Sequence, residues 1–260
     1  DVINGAAKTV FIHMTAGDAG LGIGRGGRKH PFYLARENGA ETAIRFMADA
    51  DDIPAKKSVS KRPFNGHPIY RVSYRNTVSY FLRVADGNPQ GGGYERTGFQ
   101  SLKRLANGEN NTLAAVDRST VYRGWDDLVS TVRKILDFER ASAPNVQLNV
   151  AEVDSRINPG DHSDHLMTAK AALDAVSDLD CVRRVYYIDY ASSKLPENLV
   201  AQQRDRESSV FAVTLAGVLA LDHRTSWHHY DKSYVGRNYF RVEEATSRCD
   251  TGATELAAKR

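Results

Sequence analysis

The sequence predicts a single α/β domain with a mostly parallel sheet, on three observations. Short apolar runs bounded by turn signals alternate with helical patterns along the whole chain. One of those patterns, Trp125, Leu128, Val129, Val132, Ile135 and Leu136, is strongly amphipathic, and no internal repeat divides the sequence. A polar cluster, Asn158-Pro159-Gly160-Asp161-His162-Ser163-Asp164-His165, follows a strand-like run, where open α/β sheets bind their ligands.

The elements follow in order. Asp1 to Ala7 reads as the tail of a helix, and Lys8 to Thr15 as a strand apolar on both faces, as in a buried parallel sheet. A glycine-rich loop spans Leu21 to Gly27. Its Gly22, Gly24 and Gly27 match G-x-G-x-x-G, but the first glycine lies seven residues past the strand instead of in the turn directly after it. A nucleotide-dependent oxidoreductase is therefore set aside, and the loop is read as shaping access to a site. Pro31 opens a helix with Tyr33, Ala40, Ile44 and Met47 on its apolar face. From Ile69 to Val84 the period falls to two on either side of Asn76-Thr77, which predicts an antiparallel hairpin.

Asp86 to Gly98 is rich in turn residues and predicts an exposed loop. The amphipathic helix from Trp125 carries Asp126 and Asp127 in its first turn and stops before Pro144. Val146, Leu148 and Val150 form a strand that runs into the polar cluster. Leu166, Ala169, Leu173 and Val176 then give a helix behind it. Val182 to Tyr190 is a further strand, Glu197 to Leu221 is mainly helical, and Trp227-His228-His229-Tyr230 opens an aromatic tail. Without partners at metal spacing, His228 and His229 read as surface or packing residues. Val242 to Arg260 is not strand-like.

Composition excludes several classes. The chain has 260 residues, 41% of them hydrophobic, enough for a packed core. Net charge is only +3, and the short basic groups at Arg25 to Lys29 and Lys56 to Arg62 read as solvated loop charge. No basic stripe with stacking aromatics points to nucleic acid. No apolar run reaches the roughly 18 residues of a membrane span. Cys181 and Cys249 have no metal spacing; they are free to pair, and nothing in the sequence requires it. The compartment is left open, with the cytoplasm as default and secretion still compatible.

The cluster carries the chemistry. At a helix start, His162 and His165 are three apart and share a side, so both rings can enter one space. That is half of a metal site, because catalytic zinc takes about three protein ligands and leaves a position for water.

Four ordered segments resemble the LmbE/PIG-L family of metal-dependent N-deacetylases. They are Thr15-Ala-Gly-Asp-Ala-Gly20, Arg36-Glu37, Phe81-Leu82-Arg83 with Asp86-Gly87, and His162-Ser163-Asp164-His165, and the likeness covers about Lys8 to Pro196. The resemblance implies a Rossmann-like three-layer sandwich and a hydrolase that removes an N-acetyl group from an amino-sugar-type substrate with one divalent ion, zinc by preference. It implies that His165 is a metal ligand, that His162 stabilises the reacting carbonyl and protonates the amine, that Asp164 orients His162, and that Arg36 grips the sugar. The family's first strand, with its histidine-proline-aspartate-aspartate motif, has no counterpart: His30-Pro31 and His67-Pro68 are not followed by carboxylates. A longer parent chain is the expectation. The alternative is a non-catalytic carbohydrate-binding or scaffold protein on the same fold.

Overall fold

The computed structural model describes residues 7–49, 53–141, 143, 145–245 and 249. It is a mixed α/β structure. β1 (Thr9–Thr15) leads through the glycine-rich loop to α1 (Phe32–Ala48). Pro31 caps that helix from an extended conformation, one residue outside it. β2 (Ser58–Phe64), β3 (His67–Tyr74) and β4 (Thr77–Val84) form a meander. The β2–β3 turn is Asn65-Gly66 with both φ angles positive, the conformation that favours this pair in two-residue hairpins.

A short α2 (Leu102–Ala106) is capped by the Ser101 hydroxyl, which accepts from the Arg104 amide. β5 (Thr112–Ala114) and β6 (Val121–Arg123) make a small ribbon before α3 (Trp125–Arg140). Then come β7 (Val146–Ala151), α4 (Ser163–Ala175), β8 (Val182–Tyr187), α5 (Ala201–Leu219), α6 (Trp227–Ser233) and β9 (Phe240–Glu243).

Among the described residues the strands fall into three sheets, ordered β1-β4-β3-β2, β5-β6 and β7-β8-β9. Only β1–β4 and β7–β8 pair in parallel, so the strand pairing is mixed and not mostly parallel. The core lies where Val78, Tyr80, Leu82 and Val84, alternate residues of β4, meet Leu128, Val132 and Ile135 of α3 and Ala171 and Ala175 of α4. Full burial of each large aliphatic side chain there contributes about 1.5–3 kcal/mol. α1 packs along α5, where Gly39 and Gly217 let the two backbones approach.

Two sequence expectations need correction here. Lys56 to Arg62 is not a loop, because most of it lies in β2. Its side chains are solvated as expected, but the backbone is an edge strand. Val242 and Glu243 belong to β9, paired antiparallel to β8. The predicted helix tail lies outside the described residues apart from Ala7, which is in a bend. Cys181 and Cys249 do pair, with Cα atoms 5.4 Å apart, tying the start of β8 to the chain beyond β9. Among the described residues no helix is long and apolar enough to cross a membrane.

Candidate functional site

β7 ends at Ala151, and the chain turns through Asn158-Pro159-Gly160 to enter α4. His162 is the N-cap residue: its Nδ1 accepts from the Asp164 amide at 3.1 Å. That bond occupies one imidazole nitrogen and leaves the proton on Nε2, which lies 3.9 Å from Asp86 Oδ1. Burial lowers the pKa of His162, against the pull of Asp86. The ring is therefore neutral at neutral pH.

His165 follows on the first turn, its ring centroid 5.4 Å from that of His162. Its Nδ1 donates to Asp161 Oδ1 at 2.8 Å and stands 3.3 Å from Asp189 Oδ2. Burial disfavours the charged ring, but the Asp161 hydrogen bond and the Asp189 charge outweigh it, and the pKa is raised. Asp161 is itself held in place: it accepts from the His162 amide at 2.7 Å and from Asn158 Nδ2 at 2.8 Å. Its pKa is lowered, because the His165 bond and charge, with these donors, overcome the burial that would raise it. Asn158 Oδ1 also accepts from the Asp189 backbone amide at 3.3 Å, so one buried amide side chain holds the Asp161 carboxylate and the Asp189 main chain beside His165.

Asp164 is buried and gives its carboxylate to the Gly87 amide at 2.9 Å, leaving Oδ1 without a partner. It lies 4.0 Å from His162 Nδ1 and makes no hydrogen bond to that ring; the backbone amide of Asp164 does so instead. Burial first, then the nearby Asp86 and Asp18 charges, push its pKa up to about 7 against the Gly87 bond. Asp86 is positioned by its own amide, which donates to Asp18 Oδ1 at 2.9 Å. The loops after β1 and β4 are thus clasped to each other below the histidines.

Arg36 is exposed at the second turn of α1 and borders the same cavity of about 520 Å³ as Asp164, His165 and Asp189. The site residues read from the sequence therefore gather at one end of the strands, with His162 beside the cavity lining. Glu37 serves the fold instead. Its carboxylate takes a two-pronged bond from Arg83 at 2.6 and 2.7 Å, and Arg83 also reaches Asp117 at 2.7 Å. Two segments 46 residues apart in sequence meet in this buried pair. His228 and His229 are exposed on α6 and join neither Asp/His group.

Two groups bring donor atoms within 4.8 Å of one another and could hold a metal ion: Asp86, His162 and Asp164, and Asp161, His165 and Asp189. Asp161 and Asp189 were not singled out from the sequence. Asp161 could have been, since it stands one turn before His165. Asp189 could not, because only the parallel register of β7 and β8 brings it near. Comparison with protein-family models, with curated proteins and with solved structures finds no match to this chain.

Proposed function

We propose that this chain contributes half of the metal centre of an N-deacetylase that hydrolyses the acetamide of an amino-sugar-type substrate. The resemblance of its four ordered segments to the LmbE/PIG-L family supplies the substrate class and the Rossmann-like three-layer architecture. The observation that carries the reading is the Asp161–His165 bond. A carboxylate on Nδ1 is the usual outer partner of a metal-ligating imidazole; it leaves Nε2, which has no hydrogen bond among the described residues, as the ligand atom. The donor types fit zinc in kind, but Asp189 approaches the ring at Nδ1, so His165 Nε2 by itself falls short of the usual three ligands.

When bound, a divalent ion supplies carbonyl polarisation and acidifies water. The chain's own residues supply positioning and charge stabilisation, and no general base for the water is assigned among them. Asp161 holds the His165 ring at a fixed angle. His162 offers Nε2–H as a hydrogen bond to the oxygen that gains charge. The Asp86 carboxylate stands 3.9 Å from that nitrogen. Arg36 sits at the cavity rim, where a guanidinium can take sugar hydroxyls.

A second reading is a carbohydrate-binding protein without catalysis. It is favoured by the saturation of Asp161, whose oxygens already accept three N–H groups. Zinc titration by calorimetry, paired with acetate release from N-acetylglucosaminides, separates the two. Zinc binding that is lost in His165→Ala, with zinc-dependent acetate release, supports the deacetylase. Sugar binding without zinc or acetate release supports the second reading.

A further inference from the structure

Three loops meet on a second cavity, of about 410 Å³, away from the histidine pair. They are the glycine-rich loop after β1, the Glu95–Thr97 turn after β4, and the turn between β5 and β6. The two cavities share no lining residue. Asp18 stands in the segment between them, after Gly17 of the first and before Gly22 of the second.

The lining is one-sided in charge. It contains Arg96 and Arg118 and no aspartate or glutamate. Both side chains are exposed, and among the described residues neither guanidinium has a hydrogen-bond acceptor or an ion-pair partner. The nearest carboxylates in sequence are engaged elsewhere. Asp117, next to Arg118, accepts from Arg83 at 2.7 Å and from the Ser119 amide at 3.0 Å. Asp18 accepts one amide on each oxygen, from Asp86 at 2.9 Å and from Gly22 at 2.6 Å. Glu95, beside Arg96, lies outside the lining and pairs with neither arginine.

The backbone holds this arrangement at some cost. Arg118 has a φ of +59°, a left-handed conformation that glycine adopts freely and arginine does not. A Cβ on Gly24 would stand 3.0 Å from Arg96 Nη1 and 2.7 Å from the Leu21 carbonyl oxygen, so glycine is what lets the guanidinium lie against the loop. Gln100 adds a neutral donor. Its Oε1 accepts from the Ala114 amide at 2.9 Å, which fixes the side chain and leaves its Nε2 hydrogens unbonded among the described residues.

We infer that this cavity binds a phosphate-bearing small molecule, as a second ligand separate from the occupant of the histidine cavity. A guanidinium fork matches two phosphate oxygens at once, and an anion between two unpaired arginines relieves their mutual repulsion. The volume lies within the roughly 300–1,000 Å³ of small-molecule sites. Leu21 and Val116 offer an apolar wall to the rest of the molecule. The loop glycines serve here by letting an arginine approach, not as a dinucleotide fingerprint. The inference rests on this cavity alone and is independent of the metal reading.

The test is calorimetric titration of the protein with inorganic phosphate and with pyrophosphate at fixed ionic strength, repeated on Arg96→Gln, Arg118→Gln and Arg36→Gln. The arginines at 96 and 118 are exposed and unpaired, so their substitution leaves the fold in place. The expected result is saturable binding, weakened about tenfold or more by Arg96→Gln and by Arg118→Gln and unchanged in Arg36→Gln. Absence of saturable binding for both probes overturns the inference, as does binding that the first two substitutions leave unchanged. Binding lost in Arg36→Gln assigns the anion to the histidine cavity and overturns it too. Equal weakening by all three substitutions, with a matching loss in added sodium chloride, marks general attraction to a basic surface and is the remaining result against it.

Discussion

Asp161 Oδ1 and His165 Nδ1 lie 2.8 Å apart across the first turn of α4, and this bond sets both the tautomer and the angle of the ring. Asp161→Asn keeps the shape but removes the charge that raises the His165 pKa. The His165 titration midpoint, followed by NMR of the ring protons, should fall. Zinc affinity should drop by about 10–100-fold, the usual cost of losing such an outer partner. An unchanged midpoint would show that Asp189 alone controls the ring.

His13 gives a pH signature away from the histidine pair. Burial, and then the Arg36 charge, press its pKa down to about 4 from 6.5. Between those values the unfolded chain binds more protons than the folded one. The folded state is therefore fully stable with respect to this group above pH 6.5 and loses stability as pH falls towards 4, by on the order of 3 kcal/mol. His13→Phe, which keeps the stacking on Phe81, should flatten that loss in urea unfolding measured from pH 4 to 7.

Gly87 is required by Asp164. A Cβ at position 87 would stand 2.6 Å from Asp164 Oδ1 and 2.8 Å from Ser101 Cβ. Gly87→Ala should destabilise the protein by about 1–3 kcal/mol. Because Asp164 follows His162 and precedes His165, it should also shift both ring resonances. A thermal melt and one histidine spectrum check the two effects together.

Arg83 holds Glu37 and Asp117 through a planar fork that lysine cannot reproduce. Arg83→Lys leaves two largely buried carboxylates incompletely satisfied. The expected loss, read from the denaturation midpoint, is about 1–3 kcal/mol, with α1 loosened against β4. Arg83→Met should cost more, because it leaves both charges unpaired.

Much of the fold was legible because its main elements are periodic. The runs giving β1, β3, β4, β7 and β8 and the stripes of α1, α3 and α4 lie where the sequence predicts them. β2 was hidden because Ser58 to Pro63 are solvated on both faces and only Phe64 is buried, so burial left no alternation to read. Asn65-Gly66 was the available signal, a hairpin turn with His67 as the first residue of the next strand. α2, β5 and β6, at three to five residues each, are too short for any period. In the site, His162, Asp164 and His165 were visible because one helix turn carries them. Asp86 was visible only as part of a family-like stretch, since tertiary folding alone brings it to His162.

Among the described residues β1 and β7 each pair on one side only, and their open edges line the same cavity, which bears on how the chain behaves at working concentration. Soluble proteins guard exposed strand edges with charges, prolines or bulges. Thr9 to Thr15 and Val146 to Ala151 contain no lysine, arginine, glutamate, aspartate or proline, and β1 has its irregularity only between His13 and Thr15. Two unguarded parallel edges form a template that accepts any extended segment from a neighbouring molecule. Among the described residues both edges are open, and colloidal behaviour registers that first: the protein should precipitate from crowded solution, and a short apolar peptide that pairs with one edge should keep it dispersed.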